Sequence, residues 1–263
     1  LRGLAGSDAL NGNAGKDTLS GGSGNDTLFG GGGNDFITGG TGIDRALGGP
    51  GNDQIYAGSN DSSADTFLGG NGNDTVGGGG GNDSVYGENG NDVLFGGAGA
   101  DFLNAGTDAD TAWSGAGNDT VWGGGGNDIF GGGSGKDRLA GGSGIDTIFG
   151  AAGADTVIGA GGNDFVFGGA DDDMLAGGSG HDSLFGGSGD DTLTFGANHG
   201  DDYIGGFAAK GENTIDLTAI NLSGFGALGV SQSGADVVID TGEGTITLWT
   251  AGTGDVTAGD FTF

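Results

Sequence analysis

The chain has 263 residues, of which 72 are glycine, one is proline (Pro50) and none is cysteine, and its formal net charge is −30. That charge repels phosphates and excludes nucleic acid as a partner, while it suits a cation. Without cysteine there are no disulfide staples, and no run of about 20 apolar residues is present to span a membrane as a helix.

Glycine this abundant, without a collagen triplet, would ordinarily signal disorder. The spacing argues otherwise. Aspartate recurs at Asp8, Asp17, Asp26, Asp35, Asp44 and Asp53, and again every nine residues from Asp65 to Asp191, which makes 21 copies of one unit. Fixed short periods of this kind decide an architecture. In Gly177-Gly178-Ser179-Gly180-His181-Asp182-Ser183-Leu184-Phe185 the first six residues read as a turn, because glycine reaches positive φ and lets carbonyls crowd together. The last three read as a strand with its middle side chain facing one way and its neighbours the other. That middle column holds Leu10, Leu19, Leu28, Ile37, Ile55, Phe67, Val76, Val85, Leu94, Leu103, Val121, Phe130, Leu139, Ile148, Val157, Val166, Leu175, Leu184 and Leu193, with only Ala46 and Ala112 small, and is the predicted core. Two units form a coil of 18 residues, and coils stacked about 4.8 Å apart build a rod of about 50 Å.

Residues 1–53 carry six units, with Leu4 and Asn13 at the second glycine position. The step from Asp53 to Asp65 is twelve residues rather than nine, so the segment 54–64 interrupts the period. Fifteen unbroken units follow, two of them with aspartate at the fourth turn position, Asp108 and Asp171. One outward column carries Phe95, Trp113, Phe149, Phe167 and Phe185, with a gap at Gly131; the other carries Leu47, Leu68, Tyr86, Trp122 and Ile158, interrupted by Asn104, Ala140 and Ala176. The rings are expected to stack on one another or to lie under another segment, the competing reading being a ladder that binds sugar.

After Thr194 the period ends. Asn213–Leu217, Asp236–Asp240 and Gly244–Trp249 alternate and are β-branched, which predicts strands, and Thr241-Gly242-Glu243 reads as a hairpin turn. A stacked solenoid needs such a cap over its open end.

The unit resembles the nonapeptide of the RTX (repeats-in-toxin) family over residues 1–194. The resemblance implies an all-β fold, a parallel β-roll with a C-terminal β-rich capping module over residues 195–263. It implies calcium between the turns of successive coils, at most about 19 ions, held by the repeat aspartate and turn carbonyls. The closest turn matches place that role on Asp26, Asp35, Asp74, Asp83, Asp128, Asp137, Asp146, Asp182 and Asp191. It extends to Asp8, Asp17, Asp44, Asp53, Asp92, Asp101, Asp119, Asp155 and Asp164, and stays open for Asp65, Asp110 and Asp173. At the interruption, the expectation is a bulging loop without its ion; the alternative is Asp61 or Asn60 as a substitute ligand.

The end of the chain resembles the cap of exported proteins of this family. This implies a type I secretion signal within residues 250–263, a type I exporter as partner, a secreted or cell-surface location, and a longer parent protein with this chain as its C-terminal part. No His-Glu-x-x-His, Gly-x-Ser-x-Gly or phosphate-loop motif occurs, and His181 at a variable turn position reads as solvated. No catalytic role is assigned. Alternatives to the secretion module are a surface-layer or adhesin subunit contacting the cell surface or neighbouring subunits, and a polysaccharide-binding or enzymatic module.

Overall fold

A computed structural model describes residues 1–207, 213–220, 222, 224–249 and 256–263. It comprises two compact units, Leu1–Gly135 and Lys136–Phe263. Both are parallel β-solenoid, and among the described residues no helix is long and apolar enough to cross a membrane.

In the first unit, successive strands alternate between two parallel sheets. Thr18–Ser23 pairs with Phe36–Thr41 in the register Thr18↔Phe36 and Leu19↔Ile37, while Ala9–Ala14 pairs with Thr27–Gly32 on the other sheet. Most strands are six residues long rather than the three expected, because the first three turn positions also join the ladder. The residues left to turn the corner are the third glycine of the unit, its neighbour and the aspartate, as Gly24, Asn25 and Asp26. Period-two alternation then turns three positions of each unit inward: the aspartate, the core residue and the first glycine. Leu19, Leu28, Ile37, Ile55, Phe67, Val76, Val85, Leu94, Leu103 and Val121 are fully buried, each contributing roughly 1.5–3 kcal/mol of apolar burial.

The interruption does not disturb this order. Arg45, Leu47 and Pro50 pair with Thr66, Leu68 and Asn71, an offset of 21 residues where neighbouring coils use 18. The three extra residues are absorbed by the loop between Gln54–Tyr56 and Thr66–Asn71, where Asn60 takes a positive φ of 65°.

The second unit keeps the 18-residue offset up to Ser183–Ser188 and Thr192–Thr194. Pairing then continues with irregular spacing. Gly200–Gly205 lies parallel to Ser183–Ser188, and Thr214–Asp216 parallel to Thr192–Thr194. Gly244–Leu248 and Phe261–Thr262 add one more parallel strand to each sheet. Gly229–Ser233, Asp236–Asp240 and Gly244–Leu248 form an antiparallel meander, with Gly242 at φ 82° in the turn read from Thr241-Gly242-Glu243. Ile204, Ile215, Leu217, Val237, Ile239, Ile246 and Leu248 extend the buried core through this segment.

The outward rings partly satisfy one another. Phe149, Phe167 and Phe185 stack with centroids 5.0 and 4.8 Å apart and nearly parallel planes, and the column runs on through Tyr203 to Trp249. In the first unit Trp113 remains 40% exposed.

Candidate metal centres

Two rows of aspartates line the inside of the roll at its turns. From Asp26 to Asp191 no repeat aspartate is more than 3% exposed; Asp8 and Asp17 at the first coil are half-buried. Each carboxylate reaches back one coil. Its Oδ1 accepts a hydrogen bond from the backbone N–H of the preceding aspartate in the same row. One row runs Asp8, Asp26, Asp44, Asp65, Asp83, Asp101 and Asp119, the other Asp17, Asp35, Asp53, Asp74, Asp92, Asp110 and Asp128, with N···O distances of 2.7–2.8 Å. In the second unit the same bond links Asp137, Asp155, Asp173 and Asp191, and Asp146, Asp164 and Asp182.

The other oxygen is the informative one. The Oδ2 atoms of Asp26, Asp35, Asp44, Asp53, Asp65, Asp74, Asp83, Asp92, Asp101, Asp110, Asp155, Asp164, Asp173, Asp182 and Asp191 are buried and accept no hydrogen bond. A buried carboxylate oxygen without a donor is expensive, so it requires another electropositive neighbour. Burial raises the carboxyl pKa at Asp44, Asp53, Asp65, Asp74, Asp83, Asp92, Asp101, Asp110, Asp155, Asp164, Asp173, Asp182 and Asp191, although the accepted backbone N–H pulls back and neighbouring carboxylates push further up. Asp65 rises to about 8, Asp74, Asp83, Asp110 and Asp173 to about 7, and Asp44, Asp53, Asp92, Asp101, Asp164 and Asp182 to about 6.

Backbone oxygens crowd the same corners. A methyl group on Gly21 would overlap both Asp26 Oδ2 and the carbonyl oxygen of Gly39. Gly22 and Gly24, at φ 113° and 115°, would likewise drive a methyl into the carbonyls of Leu4 and Gly6 from the preceding coil. Glycine is required there by close approach as much as by the left-handed backbone. The open turns of Asp110 and Asp173 keep the same geometry, because Asp108 and Asp171 adopt φ 77°, a region aspartate tolerates. Asp65 also sits in its row.

Two features were missed in the sequence. The residue before many of the aspartates is asparagine, and its Oδ1 accepts from the backbone one coil on, as Asn34 does from Asn52, Asn52 from Asn73, and Asn73 from Asn91. The recurrence of asparagine at this position was the available signal. Second, both rows end on residues outside the period. Asp191 N–H donates to Asn213 Oδ1, an uncharged amide, and Asp182 N–H donates to Asp202 Oδ1, both at 3.0 Å. Asp202 Oδ2 lies 2.6 Å from His199 Nδ1, and His199 Nε2 lies 2.9 Å from Thr241 Oγ1. His181, in contrast, is exposed. Asp61, the alternative ligand at the interruption, approaches Asp44 and Asp65.

Replacing His199 by alanine leaves the Oδ2 of Asp202 buried without its partner. A loss of about 1–3 kcal/mol follows, read as a lower denaturant midpoint in saturating calcium; an unchanged midpoint would remove His199 from the role of end-stop.

An all-oxygen donor set, part carboxylate and part carbonyl, suits a hard cation of six to eight ligands such as calcium rather than a thiolate- or imidazole-seeking metal. Repeated along both edges of a parallel solenoid, it defines a calcium-binding β-roll. The chain belongs to the family of RTX calcium-binding nonapeptide repeats, whose model matches residues 2–37, 29–63, 38–76, 60–94, 95–130, 104–139, 131–166 and 167–204. Among solved structures it is similar to the extracellular lipase LipA from Serratia marcescens, at 18% identity and a TM-score of 0.33 over 80% of this chain; it spans 42% of the lipase. It is also similar to a hyperactive, Ca2+-dependent, β-helical antifreeze protein from an Antarctic bacterium, at 21% identity and a TM-score of 0.41, covering 82% of this chain and 84% of that one. No curated protein sequence gives a significant match.

Proposed function

We propose that this chain is the calcium-folded module of a larger exported protein, staying unfolded at cytosolic calcium, folding outside the cell, and presenting its C-terminal segment to a type I exporter. The observation that carries this reading is the pair of buried rows of Oδ2 atoms with no hydrogen-bond donor. Such rows belong in water until a cation arrives. Calcium supplies the positive charge that neutralises them and ties coil to coil, so binding free energy becomes folding free energy. The repeat aspartates would hold it, together with the turn carbonyls pressed against the next coil.

The chain itself acts structurally in this reading. The hydrogen-bonded trio Asp202, His199 and Thr241 has the residue types of a nucleophilic site, but these residues are only 3%, 1% and 4% exposed, and leave no approach for a substrate. Residues 195–263 serve as the cap, and the export signal lies within residues 250–263. Of these, 250–255 lie outside the described residues. In the remainder, Val256 and Phe261 are buried and Phe261 pairs with Ile215, so an exporter would engage this end before the last coil closes.

Fusion of residues 195–263 to a passenger, in cells with a matching type I exporter, tests the export role. Export is expected with the full segment and is expected to disappear when residues 250–263 are deleted. Equal export of both fusions overturns the signal assignment.

A further inference from the structure

The nine-residue period breaks once, and the break places an additional carboxylate on a metal row. One oxygen from each of Asp44, Asp61 and Asp65 lies within 4.8 Å of the other two. Asp44 and Asp65 are each 2% exposed. Their Oδ1 atoms are committed to the backbone N–H groups of Asp26 and Asp44, and their Oδ2 atoms are buried with no donor. Asp61 is held in the same way by the loop. Its Oδ1 accepts from Ser63 N–H at 3.1 Å and Gly42 N–H at 3.4 Å, and its Oδ2 is again buried without a donor. Three carboxylates therefore meet at one corner, each with a buried oxygen that has no donor, and among the described residues none of the three is paired with a lysine or arginine.

The loop also replaces what the lost glycines supplied. In an ordinary turn the carbonyl two residues before the aspartate is pressed onto a glycine of the next coil, as Gly6 is onto Gly24. Ser63 stands two before Asp65, and its carbonyl meets Gly81 in the same manner, with the Asp61 carbonyl 2.9 Å from the position of a methyl on Gly80. The carbonyl side of the site is therefore retained, and the carboxylate side has three members where an ordinary pair of turns has two. Three oxygens held by backbone N–H groups and three left without a donor describe a built site, not a bulge that has lost one.

We propose that the interruption is a three-carboxylate calcium site, formed by Asp44, Asp61 and Asp65, that holds its ion more tightly than the two-carboxylate turns. Ligand charge and rigidity are the two variables by which calcium sites of one architecture are tuned, and Asp61 increases both. The proposal rests on the reading of the chain as a calcium-folded module. It favours Asp61 as a substitute ligand over a loop without an ion.

The test uses the full folded chain, loaded with radioactive calcium and then transferred to excess unlabelled calcium so that it stays folded throughout. Differences in affinity between related sites appear mainly in the dissociation rate. One ion per chain is expected to exchange about tenfold or more slowly than the rest. Asp61→Asn, which keeps the oxygen that accepts from Ser63 and Gly42, is expected to abolish that slow phase. Asp108→Asn, which removes an exposed carboxylate at another turn, is expected to leave it intact. Absence of a slow ion from the unmodified chain, its persistence in Asp61→Asn, or its loss in Asp108→Asn overturns the proposal. A chain that retains no calcium at all would instead overturn the calcium-module reading on which the proposal rests.

Discussion

Removal of calcium is expected to erase the β-sheet circular dichroism of the folded chain, and return of millimolar calcium to restore it. The argument is electrostatic. Successive carboxylates in a row are one coil apart, about 4.8 Å, and Asp44, Asp83 and Asp92, for example, accept a backbone N–H at Oδ1 and have no donor at Oδ2. A pair of like charges about 4 Å apart repels by about 1 kcal/mol in water and by about 4 kcal/mol at the effective dielectric of a protein surface. Along the rows of each unit those costs accumulate, and the desolvation of each carboxylate adds to them. The core residues, Leu and Val for the most part, do not change when the ion leaves, so the whole difference between the states lies on the aspartate rows. At cytosolic calcium, below about micromolar, weak extracellular-type sites are empty, and at about millimolar they fill. Far-ultraviolet circular dichroism in excess chelator, followed by calcium, is the measurement. A β spectrum that survives the chelator would show that the apolar core and the asparagine ladder hold the roll by themselves.

Without calcium, acid is expected to do part of what the ion does. Many of the repeat aspartates have folded-state pKa values raised above the ordinary 3.8, to about 6 at Asp44 and Asp182, about 7 at Asp74 and Asp173, and about 8 at Asp65, with burial as the largest cause. A raised folded pKa means that the folded state binds the proton more tightly than the unfolded chain. The stability this contributes is present in full below pH 3.8 and is lost as pH rises through the folded values. The metal-free chain should therefore gain β structure as pH is lowered from about 8 toward 5 through that window, staying above the isoelectric point near 4.1. Calcium reverses the sign, because it binds ionised carboxylate and acid competes with it. Two pH titrations, one in metal-free buffer and one in millimolar calcium, are expected to run in opposite directions. Metal-free chains equally disordered at both ends of the range would show that the rows do not control folding.

The period alone determined most of this molecule. Nine residues with one aspartate, one apolar residue and glycines at set distances force a turn, a short strand and an 18-residue coil, and strand alternation then places Leu19, Ile37 and Ile55 in one buried column. The same periodicity marked the aspartates, because a side chain two positions from an inward residue must also face inward. Even the interruption left the register intact, since slipping a strand by one residue would turn Phe67 and its row outward.

Tertiary structure decided whatever departs from the period. Asp61 reaches Asp44 across 17 positions and Thr241 reaches His199 across 42, distances set by how a loop and a meander fold back rather than by any repeat. The parallel pairing of Gly200–Gly205 with Gly244–Leu248 is 44 residues apart in register, so no local pattern announces it. Asn213 and the pair His199–Asp202 end the two rows for a reason visible only in three dimensions. The last aspartate N–H of each row needs an acceptor, and Asn213 and Asp202 supply it where the nine-residue period has ended. Repetition encodes contacts between neighbours at a fixed offset; the ends and the break are where the offset fails, and there the contacts are chosen by the folded chain.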